Sequence, residues 1–256
     1  LGETEVRRPE VVYWSPDPDQ IPFGEVQKWF YKQEPQDPEL MKERARRKAI
    51  LEAPLPELAT KEVQREPREW TDALNSFVQA GDCERVGIAH MRPEWVYGHR
   101  ETDFQNVIIL GVHHNYDLLK SAPDLVAGTD VTRQYGRAAE VAKKVAAWLR
   151  QQGWDAEPVT GPMAGKILMI PPALECGFGE LGKHGSLINP EFGSAFRLGA
   201  VLTDAPFATT PRREFGIDDF CSRCRVCENA CPPFAIEPDK KMVRGVQKWY
   251  VDFDKC

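Results

Sequence analysis

Near the end of this 256-residue chain, Phe220-Cys221-Ser222-Arg223-Cys224-Arg225-Val226-Cys227-Glu228-Asn229-Ala230-Cys231-Pro232 sets four cysteines in a C-x2-C-x2-C-x3-C-P run. Three thiolates spaced by two residues can curl around one face of a 4Fe–4S cubane, while the fourth, set back by a longer spacer and a proline, reaches a second cluster. A structural zinc site favours two separated C-x2-C pairs, and a disulfide knot needs a small secreted domain, so the run reads as an iron–sulfur site. The same rule demands a second cysteine group further on. Only Cys256 comes after it, behind the strand-like Trp249-Tyr250-Val251-Asp252-Phe253-Asp254-Lys255. Cys256 is therefore expected to open that group, and the chain, which starts at Leu1, to be a fragment cut inside its own iron–sulfur module.

Composition narrows the classes. Hydrophobic residues make up 42% and charged residues 28%, ordinary values for a chain long enough to bury a full core. The net charge of −6 gives no electrostatic reason to expect nucleic acid or an anionic membrane as partner. No apolar run approaches the roughly 20 residues of a spanning helix. Five of the seven cysteines stand at metal-ligand positions in the C-terminal region, which leaves Cys83 and Cys176 as free thiols.

The pattern divides the chain into three regions. Residues 1–69, rich in Pro, Glu, Arg and Lys, read as an extended arm. It contains one helix, Pro38 to about Leu51, whose Arg and Lys run reads as a solvated face. Aromatics at Tyr13, Trp14, Phe23, Trp29, Phe30 and Tyr31 imply that the arm packs on the body of the protein. That body, residues 70–214, opens with an amphipathic helix, Trp70–Ala80, closed by Gly81. Val86–Ala89 and Asn106–Val112 read as buried strands, and His113-His114, pointing to opposite faces, as core or surface residues rather than metal ligands. Asp130 or Thr132 is expected to cap a long helix through Gln152, with an apolar stripe from Tyr135 to Leu149. That puts Tyr135 in the first turn, where it either faces a cavity or closes the edge of the core. Lys166–Ile170 reads as a strand ended by Pro171-Pro172, and Ser194–Asp204 as the last strand. Arg197, near the buried start of that strand, needs an anionic partner, as a structural ion pair or as an anion holder. Residues 215–256 are the iron–sulfur module.

Cys176 to Gly193 packs five glycines into one loop. Gly177 to Gly182 formally satisfies G-x-G-x-x-G, but further glycines come next and Asn189-Pro190 stops any helix, so a dinucleotide site is not the reading. Such a loop suits backbone N–H groups laid against a flat, amide-rimmed or phosphate-bearing ligand.

Four elements in this order, the Gln134-Tyr135-Gly136-Arg137 helix start, the Gly179-Glu180-Leu181-Gly182-Lys183-His184-Gly185 loop with Asn189-Pro190-Glu191-Phe192-Gly193, the Arg197-Leu198-Gly199 strand and the Cys221–Pro232 run, resemble the cobalamin-dependent reductive dehalogenases over residues 70–256. The resemblance implies an α+β protein: an α/β sandwich-like cobalamin-binding core with a mixed sheet, followed by a truncated bacterial ferredoxin-like module with two 4Fe–4S clusters. It implies a base-off corrinoid, in keeping with the absence of a D-x-H-x-x-G motif, bound by Gly179, Gly182, Lys183, His184, Gly185, Asn189 and Gly193. Cys221, Cys224, Cys227, Cys231 and Cys256 would be the cluster ligands on this chain. Tyr135 takes the place of the family's proton donor and Arg197 that of its supporting basic residue. A guanidinium within about 4–6 Å of a phenol favours the phenolate left after proton transfer.

The implied partners are an organohalide and an electron donor such as ferredoxin, flavodoxin, a reductase or a quinol-linked protein, without nucleic acid. Family members are cytosolic or exported with a twin-arginine signal, and the cytoplasm is the expectation here. The rival reading is an epoxyqueuosine reductase, whose helix motif is G-R-D-Y-H where this chain has Gly136-Arg137-Ala138-Ala139-Glu140. A non-catalytic electron carrier is the remaining class, and it needs neither the glycine loop nor the large core.

Overall fold

The segment Asn106-Val107-Ile108-Ile109-Leu110-Gly111-Val112 is apolar at almost every position, and a strand of that kind is stable only with both faces covered. The computed structural model, which describes residues 2–12, 14–32, 35–78, 81–161 and 165–256, places it at the centre. Helices α1 (Gly24–Lys32), α2 (Pro38–Glu52) and α3 (Pro67–Phe77) precede strands β1 (Arg85–His90) and β2 (Asn106–His113). A short α4 (Tyr116–Leu119), the long α5 (Leu125–Gln151), β3 (Ala156–Val159) and α6 (Ile170–Glu175) lead to a small hairpin of β4 (Glu180–Leu181) and β5 (Leu187–Ile188). After β6 (Phe196–Thr203) come α7 (Ile217–Arg223), α8 (Val226–Ala230) and a second hairpin, β7 (Lys241–Val243) and β8 (Val246–Lys248).

The main sheet has the order β1-β2-β6-β3, and all three pairings are antiparallel, where a mixed sheet was expected. Each strand reaches its neighbour without a parallel crossover, so helices are not forced onto both faces. Ile108, Leu110, Val112 and Val201 face α3 and α5, while Val107, Ile109, Ala200 and Leu202 face a second apolar layer with Trp95, Ile167, Ala173 and Phe178. Pro158 is tolerated in β3 because β3 is an edge strand.

Two close approaches position the site residues. A Cβ at Gly199 would lie 2.7 Å from the Ala138 carbonyl oxygen, so β6 and α5 touch backbone to side-chain position there. Phe178 occupies a gap in the sheet, since a Cβ at Gly87 or Gly111 would come within 2.8 or 2.7 Å of its ring. The first contact sets α5 over Arg197; the second fixes the start of the glycine loop.

Several local expectations are revised. The long helix begins at Leu125 behind Asp124, not at Asp130 or Thr132, so Tyr135 lies in its third turn. Asp130 can sit inside the helix because its carboxylate is partnered by His114, the Asn115 N–H and Gln134, and Thr132 bonds back to Gly128. Lys166–Ile170 is not a strand: Ile167 makes only an isolated bridge to Val96, and Pro171-Pro172 open α6, proline being suited to a first helical turn. α3 starts earlier than expected, at Pro67, with a Glu66/Glu69 capping box, and ends at Phe77; Gln79 and Ala80 fall outside the described residues.

The arm, expected to be extended with one helix, holds a second one, α1, that the sequence pattern does not announce. Arg8 donates to the Val96 and Tyr97 carbonyls, and Phe23 meets Phe253 with ring centres 4.6 Å apart. Trp29, Phe30 and Tyr31 stay largely exposed on α1, and Tyr13 lies outside the described residues. The basic run of α2 is not a solvated face throughout: Glu43 accepts from Arg133 at 2.8 Å, Arg46 pairs with Glu140, and Arg47 reaches Tyr135. Among the described residues no helix is long and apolar enough to cross a membrane.

Candidate active site and cysteine run

The close contact between Gly199 and Ala138 brings residue 197, on the same face of β6, under the turn of α5 that carries residue 135. The Arg197 guanidinium carbon stands 4.4 Å from the centre of the Tyr135 ring, and that of Arg47, from α2, 5.2 Å from the same centre. Neither arginine has a carboxylate partner among the described residues, and the Nε of each is buried without a hydrogen bond. Tyr135 is half-buried and its hydroxyl has no hydrogen-bond partner among the described residues. The pairing of Tyr135 with Arg197 is legible in the sequence; the contribution of Arg47 is not, because its helix lies far upstream in the arm.

Arg197 also borders a cavity of about 340 Å³, together with His114, Leu119, His184, Ser186, Ser194 and Phe196. His113 and His114 divide as expected for opposite faces. His113 is exposed beside Glu84, whereas His114 is buried with its Nδ1 3.2 Å from Asp130. Burial, and then the Arg197 charge, hold the His114 imidazole below its ordinary range, with Asp130 pulling the other way. His114 is thus a neutral wall of the cavity, a role that two adjacent histidines do not announce.

The glycine loop is a hairpin with its own internal logic. Gly182 N–H donates to the Ser186 carbonyl and Gly185 N–H to that of Gly182, each at 2.9 Å. A Cβ at Gly179 would lie 2.0 Å from the Ile188 carbonyl oxygen, and one at Gly182 would lie 2.5 Å from the Ile188 Cδ1. Asn189, expected at a cofactor, spends its side chain on the loop: Nδ2 donates to the Phe178 carbonyl at 2.6 Å while Oδ1 accepts from Glu191 and Phe192. Gly193 exchanges backbone bonds with Asn189. Of the seven loop residues named from the sequence, His184 alone lines the cavity, its imidazole lowered by burial. Lys183 and Gly185 face the other way, toward the C-terminal region: Lys183 pairs with Glu228 at 3.4 Å, and a Cβ at Gly185 would sit 3.1 Å from Val251.

The cysteine run folds as two short helices. Cys221 lies in α7, Cys224 follows its end, Cys227 lies in α8 and Cys231 follows it. The Cys227 thiol is pushed up by burial first, with Cys221 and Cys224 adding to the effect, so those three sulfurs share one electrostatic neighbourhood. The Cys231 sulfur accepts the Ala235 N–H at 3.4 Å, and Cys256 is exposed. Among the described residues no group of three or more His, Cys, Asp or Glu side chains is drawn into a metal-binding arrangement. Cys83 and Cys176 are free, as expected, and both are buried, which pushes their thiols up to about 11 and about 12.

No family model matches the chain. It is 32% identical over 197 residues to the tetrachloroethene reductive dehalogenase of Desulfitobacterium hafniense, a match covering 72% of this chain and 35% of that protein, with the same figures for the Dehalobacter restrictus enzyme. An epoxyqueuosine reductase of a Synechococcus species is 33% identical over 137 residues, covering 51% of this chain and 40% of that one. Among solved structures, a variant of the catabolic reductive dehalogenase NpRdhA superposes with a TM-score of 0.83 at 23% identity, over 98% of this chain and 38% of that one. An epoxyqueuosine reductase with a tRNA stem loop gives 0.52 at 15% identity, over 73% and 56%. This chain spans about a third of the length of the dehalogenases it matches, 35% in the Desulfitobacterium case. At 32% identity over 72% of its length to two tetrachloroethene reductive dehalogenases, the chain belongs to the reductive dehalogenase family.

Proposed function

We propose that the protein reductively removes halide from an organohalide, R–X + 2e⁻ + H⁺ giving R–H + X⁻, with a base-off corrinoid and two 4Fe–4S clusters as cofactors. The observation that carries this reading is Arg197, which stands over the Tyr135 ring and borders a polar-walled cavity whose hairpin wall also pairs with the cysteine-bearing helices.

The residues fit the cofactors. Cys221, Cys224 and Cys227 offer three thiolates to one cubane and Cys231 one to a second, and Cys256 is a further thiol of the same region. The buried, unpartnered Nε of Arg197 and the donors on His184, Ser186 and Ser194 suit the amide rim of a corrinoid. When bound, the corrinoid supplies the low-valent cobalt that engages the carbon–halogen bond, and the clusters supply electrons singly.

The chain's own residues handle the proton and the space. The Tyr135 hydroxyl donates the proton to carbon, and the guanidiniums of Arg197 and Arg47 stabilise the phenolate it leaves. His114, neutral and anchored by Asp130, excludes water on one side without adding a charge. A one-electron protein carrier is the partner this arrangement calls for. The epoxyqueuosine alternative is disfavoured because the position of that family's acid is Ala138, a buried residue with no carboxylate to offer.

The test is anaerobic reconstitution with cobalamin, iron and sulfide, followed by halide release from a panel of chlorinated and brominated alkenes and phenols. Halide release that needs both cofactors is the expected result. Loaded protein that consumes none of them, yet reduces an epoxyqueuosine stem loop, would reverse the assignment.

A further inference from the structure

The β4–β5 hairpin holds the cysteine-bearing helices at both ends. At one end, Glu180 Oε2 accepts the backbone N–H of Phe215 at 2.8 Å and of Ile217 at 2.9 Å, fixing the start of α7 and hence Cys221. At the other, the Lys183 ammonium meets Glu228, the residue directly after Cys227, with side chains 3% and 11% exposed. Lys183 also lies 5.0 Å from the centre of the Trp249 ring, itself buried and bonded to Asp218 in the first turn of α7. The same hairpin presents His184 and Ser186 to the cavity. One short ribbon therefore joins the proposed reaction space to the scaffold of the cysteines.

A buried ammonium acts through low dielectric, where charges are felt more strongly than in water. Reduction of a thiolate-bound cluster adds one negative charge to an already anionic group, and nearby charge is a lever on its potential. We infer that Lys183 is a positioning residue for the iron–sulfur cluster of Cys221, Cys224 and Cys227: clamped between Glu228 and Trp249, it holds α8 against the hairpin and raises the potential of that cluster. Glu228 works against it, and Arg225, at 2.6 Å on the same carboxylate but exposed, only partly offsets Glu228. This inference rests on the iron–sulfur reading above.

The test uses the whole chain with clusters rebuilt from iron and sulfide and no corrinoid, reading midpoint potentials by EPR-monitored titration alongside iron content. Lys183→Gln, which leaves the Glu228 charge unmatched, is expected to move the midpoint to a more negative value. Lys183→Arg should keep it, and Lys183→Gln/Glu228→Gln should return it toward wild type. If Lys183→Gln fails to take up iron, Glu228→Gln alone carries the test, with a shift to a more positive value expected. A midpoint that stays at the wild-type value in both single variants, with iron content unchanged, overturns the role of Lys183 alone. Wild-type protein that builds no cluster overturns the iron–sulfur reading and this inference with it.

Discussion

Arg197 stands over the Tyr135 ring, its guanidinium carbon 4.4 Å from the ring centre, because Gly199 lets β6 approach α5 at Ala138. The cation therefore stabilises the ring from its face and leaves the hydroxyl free to act. Tyr135→Phe retains the ring and its contact with the arginine and removes only the donor. Halide release should fall by about 10²–10⁴-fold, the range of a lost general acid, with the near-UV circular dichroism unchanged. Turnover at the wild-type rate would take Tyr135 out of proton transfer.

Arg47 stands 5.2 Å from the same ring and comes from the arm. Arg47→Gln should lower kcat about two- to fivefold, the rate equivalent of about 0.5–1 kcal/mol for one cation–π contact, and Arg47→Lys should restore part of it. An unchanged kcat in Arg47→Gln would reduce α2 to a packing element.

The seven cysteines divide by environment. Cys83 and Cys176 are buried with thiols pushed up to about 11 and about 12, so at about pH 8 in folded apoprotein they should resist iodoacetamide while Cys224 and Cys256 react. Cys221→Ser or Cys224→Ser should lower bound iron, whereas Cys83→Ser should not. Mass mapping and iron analysis check both statements.

Gly179 has φ +156 and a would-be Cβ 2.0 Å from the Ile188 carbonyl oxygen. Gly179→Ala must distort the hairpin, and a loss of about 2–4 kcal/mol is expected from backbone strain and overpacking together. Gly193→Ala, with open space around its Cβ, should be the milder change. Urea denaturation of the apoproteins orders the two; the reverse order would contradict the packing described.

Burial and Arg197 hold His114 below its ordinary value of about 6.5, and burial lowers His184 likewise. The unfolded chain then binds more protons than the folded one as the medium is acidified. The stability these groups contribute is fully present above about pH 6.5 and declines as pH drops through their lowered values. Urea midpoints at about pH 7.5 and about pH 5.5 should show the decline, and His114→Asn should flatten it. A midpoint that rises on acidification would show that His114 is charged in the fold.

Much of this architecture is legible because it is written in local pattern. The apolar run at Asn106–Val112, the proline-started helix at Pro38 and the stripe from Ala138 to Leu149 each specify their element without help from distant residues. Tyr135, Arg197 and the cysteine run stand out through motif order. Tertiary partners hide the rest. Asp130 reads as a helix cap because nothing in sequence announces the histidine that accompanies it into the interior. Pro171-Pro172 reads as a strand terminator because the same dipeptide can open a helix. The all-antiparallel sheet is hard to foresee because β3, a short edge strand with a proline inside it, carries little periodicity. Lys183 reads as a cofactor residue because loop composition says nothing about which side of a hairpin each side chain takes.

The backbone of Glu3 pairs with Met242 and Gly245, and its carboxylate accepts the Arg244 N–H across 241 positions. A lone two-stranded ribbon is marginal in water, so the β7–β8 hairpin gains its third partner from the opposite side of the primary structure. During synthesis that partner emerges from the ribosome long before the ribbon does and has to wait. Completing the ribbon therefore depends on a contact between residues 241 positions apart, which carries a loop-closure cost that a local turn does not.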